Sequence, residues 1–392
     1  MERRKNVCSV ETNDRGGGEG GTPSAQKRRD SNIELFRIIT MLFIVAHHYV
    51  VNSGLTAVDG PIYADPLSSR SLFLLIIGAW GKTGINCFML ITGYYMCKSH
   101  ITFGKFTKLL FEVMFYRVVI GTAFVLSDYE RLSWNILVEY LLPVRSIGNG
   151  FTAAFLVFFL FIPFLNILVR NMSKRQHTFL IIWCGFTYVF LGTVPKFSVT
   201  MNYVEWFSVV FIIAAYIRLY PKRIYSNTRL MGCLTVSAVV ADIITVIICA
   251  WLSARTGKRM AYSLVTDSNS FLAVTTGICA FLFFKNLKIP YNHFINTVGA
   301  STFGVLLIHA NRFMRGWLWT DFLDCVGHYS SKLMPLYSIC AVFLVFGVGT
   351  IIDIFRIHFI EKPFFKLWDK HWANIHRQYT KLEMHIASKS NI

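Results

Sequence analysis

Residues 33–51 are apolar and long enough to cross a membrane, yet they carry Glu34, Arg37, His47 and His48. Charged groups at membrane depth are expensive and usually functional. Arg37 and His48 are eleven residues apart, close to three whole turns, so on a helix they fall within about 20° of one another. Glu34 precedes Arg37 by three residues and shares its face. His47 points about 80° away from Arg37. Acid, guanidinium and imidazole therefore form one stripe, with Arg37 and His48 roughly 16 Å apart along the axis. They cannot touch, but they can line one channel. Taken singly, Arg37 has a plainer reading as a snorkelling arginine and the histidines as interfacial ones. Taken as a set on one face, they cost too much in lipid for that reading to be preferred.

The rest of the composition agrees with a membrane setting. Of 392 residues, 54% are apolar and only 15% charged, which describes a polytopic helical membrane protein rather than a soluble domain. The 39 Lys and Arg against 21 Asp and Glu are scattered between apolar runs, as orientation signals are. A nucleic-acid-binding protein would cluster them on one domain, so no nucleic-acid partner is expected. The nine cysteines contain no CxxC and no metal-type spacing with histidine. They read as small core hydrophobes, and neither a disulfide framework nor a metal site is supported. Residues 1–31 read as a disordered, basic, glycine-rich cytoplasmic tail ahead of an uncleaved first helix. Residues 32–370 form the membrane domain, and 371–392 a second cytoplasmic tail.

Ten spanning segments can be drawn, near 33–51, 72–97, 108–127, 151–170, 178–194, 202–219, 231–253, 268–284, 297–313 and 333–357. The ninth is short and interrupted by Gly304. Lys27, Arg28, Arg29, Lys98, Lys105, Lys108, Lys174, Arg175, Lys222, Arg223, Lys285, Lys288, Lys362 and Lys366 fall on one side of this arrangement. The opposite side holds fewer, including Arg70, Lys82, Arg131, Arg145, Lys196, Arg312 and Arg315; Arg255 to Arg259 dissent. The expected fold is an all-α bundle of about ten transmembrane helices with both termini cytoplasmic. Arg37 then lies near the cytosol and His48 toward the outer leaflet, an arrangement suited to a long cytosolic molecule reaching an outside acceptor.

Other polar features are weaker alone. Lys105 and Lys108, one turn apart, form a cationic pair able to bind donor phosphates, or act simply as cytosolic anchors. Thr92 and Gly93 allow close helix approach. His309 stands at the end of the ninth segment with Arg312 one turn on; alone it is more often interfacial than catalytic. Glu361 is expected to pair structurally with a basic residue, and Pro363 to stop the last helix. Glu139 and Glu205 lie too near predicted interfaces to assign.

Asn32-Ile-Glu-Leu-Phe-Arg37, then ten residues and His48, resembles the opening signature of acyltransferase family 3, integral-membrane O-acyltransferases of bacterial surface carbohydrates. Phe88-Met-Leu-Ile-Thr-Gly93 with its following basic pair, Ser301-Thr-Phe-Gly304 leading to Leu307-Ile-His309, and Glu361-Lys-Pro363 agree in order. The resemblance covers about residues 30 to 370. It implies that His48 is the catalytic imidazole, Arg37 and Glu34 its essential charged partners, and Lys105 and Lys108 the donor-binding pair. Two departures stand out. Lysine lacks arginine's bidentate fork, and there is no esterase-like domain after the membrane core, as some members have.

The leading expectation is transfer of an acyl group, acetyl foremost, from cytosolic acyl-CoA to a hydroxyl of a cell-surface or lipid-linked carbohydrate, in the plasma or inner membrane. An alcohol is a poor nucleophile at neutral pH, so a positioned imidazole is the chemistry required. His48 takes that part, with His47 the fallback and His309 a further candidate. Acetyl-CoA is then a donor substrate, and no permanently bound cofactor is expected. Transfer finishes within the membrane domain or passes to a separate acyl-accepting protein. The rival readings are a transporter or flippase of a lipid-linked saccharide and, more distantly, a glycan polymerase or ligase.

Overall fold

The computed structural model describes residues 29–371, apart from Ser146, Gly148, Asn149, Pro195, Lys196, Ser198, Thr200 and Thr266. Residues 1–28 and 372–392 lie outside the described residues, and with them most of both expected tails and the orienting Lys27 and Arg28. Lys196 does too.

All ten expected segments are helical, and the described residues contain no strand. Six helical stretches are long and apolar enough to cross a membrane. They are α1 (Ser31–Val51), the stacked pair α2 (Ser69–Gly78) and α3 (Gly81–Met96), α4 (Phe103–Leu126), and three more after it. A short α5 (Trp134–Leu141) follows α4, and α6 (Phe151–Asn171) is the fourth long stretch. The remaining four expected segments are shorter or broken. α7 (Lys174–Cys184) runs on into a π-helical turn, Gly185–Phe190. α8 (Tyr203–Leu219) has 17 residues, and α9 (Thr228–Thr256) is again a long apolar helix. α10 (Phe271–Asn286) has 16 residues. The ninth segment is split into α11 (His293–Ala300) and α12 (Thr302–His309), followed by α13 (Arg312–Gly316). The last long stretch begins as α14 (Met334–Phe355) and continues as helix to His371.

Local sequence explains most of these ends. Ser68, Thr102, Ser133, Asn202 and Asn227 each accept a backbone N–H through the side chain at a helix start, which satisfies donors the helix itself leaves open. Ser173 and Gln176 form a reciprocal capping box on α7,. Gly257, at φ 68°, closes α9 in the left-handed conformation that glycine adopts without a Cβ penalty,. Outward faces are apolar, with Phe164 and Ile351 about 70% exposed, as expected where the neighbour is lipid.

α1 is the hub, packed against α2, α3, α10, α11, α12 and α14. The Thr92–Gly93 pair does permit close approach: a Cβ on Gly93 would lie 2.8 Å from Ala214 Cβ on α8. Two expectations are corrected. The ninth segment breaks at Ser301 rather than at Gly304, and Thr302 Oγ1 donates to Gly299 O at 2.9 Å beside the break. Pro363 does not stop the last helix. It follows a π-helical turn, Arg356–Glu361, whose offset bonding already departs from the regular i→i−4 ladder that proline would break.

Candidate active site

α2 and α3 meet at a break over Ala79 and Trp80. The break frees the Gly78 carbonyl, which accepts a hydrogen bond from His47 Nδ1 at 2.6 Å. Gly81 on the other side of the break packs on the same ring; a Cβ there would lie 2.2 Å from His47 Cγ. His47 is thus held by backbone. His48, one residue on, meets His309 from α12, with His309 Nε2 2.9 Å from His48 Nδ1.

The tautomers of this pair follow from one carbonyl. His309 Nδ1 lies 2.6 Å from Val305 O. A carbonyl only accepts, so His309 Nδ1 carries the proton and, in the neutral ring, Nε2 presents a lone pair. His48 Nδ1–H must then donate to it, which leaves His48 Nε2 as the basic atom. His309 is fully buried, whereas His48 is half-buried and lines a cavity of about 530 Å³. The pair joins residues 261 positions apart.

The cavity is bounded by His47, His48 and Asn52 of α1, Lys82 of α3, Tyr116 and Arg117 of α4, Glu139 of α5, Thr152 of α6, and Asn311, Arg312 and Arg315 after α12. Glu139, unassigned in the sequence, pairs with Arg312 at this wall. Glu205 instead belongs to the first turn of α8, where Asn202 donates to it at 2.9 Å. Arg37 and Glu34 are not in the cavity wall. They form their own pair at 3.7 Å, with Glu34 buried and also 3.4 Å from Arg29. The one-face stripe therefore divides: its imidazole opens on the cavity, and its charges sit near the start of α1. Lys105 and Lys108 are both engaged within the protein. Lys105 Nζ donates to His100 O at 2.7 Å, and Lys108 Nζ pairs with Glu361 at 2.7 Å, as expected for Glu361.

Sequence reasoning missed a second buried cluster. Arg356, 2% exposed, spends every edge of its guanidinium on carboxylates: Nε on Asp353 at 2.8 Å, Nη2 on Glu112 at 2.9 Å, and Nη1 on Glu361. Tyr116, which lines the cavity, donates its hydroxyl to Asp353 Oδ1 at 2.8 Å. Gly304 makes room for that carboxylate, since a Cβ there would lie 2.0 Å from Asp353 Oδ1. The signal was available: Glu112, Asp353 and Arg356 are charges at or beside membrane depth, the same criterion that singled out α1.

Fold and site together define a helical membrane protein in which one member of a histidine pair, His48, opens on a cavity with a charged wall. The family model for the acyltransferase domain of acyltransferase family 3 matches residues 30–354, most of the chain. This chain belongs to that acyltransferase family. No curated protein and no solved structure matches it.

Proposed function

We propose that this protein transfers an acyl group, acetyl foremost, from cytosolic acyl-CoA to a hydroxyl of a cell-surface or lipid-linked carbohydrate. The observation that carries the reading is the His48–His309 pair, which leaves a basic Nε2 on the half-buried His48 in a polar cavity. His48 Nε2 takes the hydroxyl proton as the oxygen attacks the thioester carbonyl. The C–O bond forms, the C–S bond breaks, and the imidazolium returns its proton to the departing thiolate. His309 stabilises the charged intermediate ring by accepting from Nδ1. A transient acyl group on His48 is the covalent variant of the same chemistry.

In this reading the bundle has ten spans in a plasma or inner membrane, with both termini cytoplasmic. The donor enters beside Glu34 and Arg37, and the acceptor enters at the His48 end of α1. Lys105 and Lys108 contact the donor's phosphates; Lys108 must first leave Glu361, to which it is bound at 2.7 Å.

The test is consumption of labelled acetyl-CoA by the purified protein in liposomes supplied with oligosaccharide acceptors. His48→Ala should lose about 10²–10⁴-fold in rate, while His47→Ala retains most activity. Full activity in a folded His48→Ala protein overturns the assignment. Movement of a lipid-linked saccharide without any new ester bond would instead support the transporter reading.

A further inference from the structure

The wall around His48 is unevenly charged. Four of its residues are cationic, Lys82, Arg117, Arg312 and Arg315, and Glu139 is its single carboxylate. Glu139 is engaged by Arg312. Among the described residues the other three form no ion pair. Lys82 Nζ donates to the Tyr203 hydroxyl at 2.6 Å, a neutral partner. Arg117 donates through Nη2 to the backbone carbonyls of Glu139 and Leu142, and its buried Nε has no partner among the described residues. Arg315 is exposed on α13.

Positive charge in excess on the wall of a cavity with low-dielectric protein behind it focuses its field on whatever enters. A neutral sugar would leave that charge unanswered. An oxyanion would answer it through charge-assisted hydrogen bonds, roughly twice as strong as neutral ones. We infer that the acceptor is anionic: a carboxylate or phosphate group on it binds between Lys82 and Arg315, and this sets its reacting hydroxyl at His48. The inference rests on the acyltransferase reading for the identity of that hydroxyl, but the anion site itself is measurable without any transfer.

The experiment is a thermal-unfolding titration of the full chain in nanodiscs with three matched ligands: methyl glucoside, methyl glucuronide and methyl glucoside 6-phosphate. A ligand that binds the folded state raises the unfolding temperature, by an amount that grows with the logarithm of one plus its concentration over Kd. One or both anionic glycosides should act at a concentration at least about tenfold lower than the neutral one, the expected worth of a hydrogen bond to a charged group. Whichever of carboxylate and phosphate is the more potent identifies the source of the anion. The preference should shrink in Lys82→Gln and Arg315→Gln, and also at 1 M salt, where screening acts within about 3 Å. Arg315→Gln alters an exposed side chain and carries the test should Lys82→Gln fail to fold. Equal potency of neutral and anionic glycosides overturns the inference, as does a preference that survives both substitutions. So does binding of adenosine 3′,5′-bisphosphate that depends on Lys82 and Arg315, since the donor would then supply the anion. An intact preference with no consumption of acetyl-CoA would count against the transferase reading and leave the anion site standing.

Discussion

Two neighbouring histidines on one helix receive opposite treatment. His47 is fixed by the Gly78 carbonyl and wedged on Gly81, whereas His48 is fixed by another imidazole whose own proton is set by Val305 O. If His48 is the base, as proposed, it depends on His309 for its orientation while His309 itself stays buried away from the cavity. His309→Ala should therefore lower kcat by about 10-fold or more while changing KM little, and should move the pH profile of the rate. His309→Gln can still accept from His48 and should recover part of the loss. A fall in KM-dependent terms alone, with an unmoved pH profile, would mark His309 as structural. Gly304 is the other residue on which much turns. Its missing side chain holds space for Asp353, and Gly304→Ala should cost about 1–3 kcal/mol, read as a lower unfolding temperature of the detergent-solubilised protein.

At the scale of elements, the legibility of the sequence follows the reach of each interaction. The stripe on α1 was readable because helical spacing alone generates it. The salt bridge between Glu34 and Arg37 is of that local kind. The Arg356 cluster was not readable as a whole, although two of its members are three residues apart. Its third carboxylate, Glu112, comes from α4, and Glu361 reaches Arg356 across five positions only because a π turn widens the helix there. A 3.6-residue period puts Glu361 off that face. The cluster is also sensitive to the loss of a single member. Removing one partner of a buried ion pair leaves uncompensated charge, so Arg356→Met should cost about 3–5 kcal/mol and sharply reduce folded yield. Lys108→Met should cost less than Arg356→Met, because Lys108 itself is 60% exposed and the buried Glu361 keeps its bond to Arg356,. Yield and monodispersity on size-exclusion chromatography separate the two outcomes.

For the whole molecule, apolar run length made the helical class evident, while the exact path through the bilayer depends on segments such as α8 and α10 that are too short to declare themselves. The ten-span arrangement predicts that reporter domains fused at residue 174 and at residue 371 fall on the same side of the membrane, opposite one inserted at residue 131. Protease protection in sealed vesicles reads this directly, and opposite placement of the first two would remove the arrangement. Lastly, the histidine pair joins α1 to a helix made 261 residues later. A ribosome must therefore add about 261 residues after His48 before the pair can form. On the proposed mechanism a growing polypeptide in the membrane stays chemically silent until α12 has been made and has docked on α1.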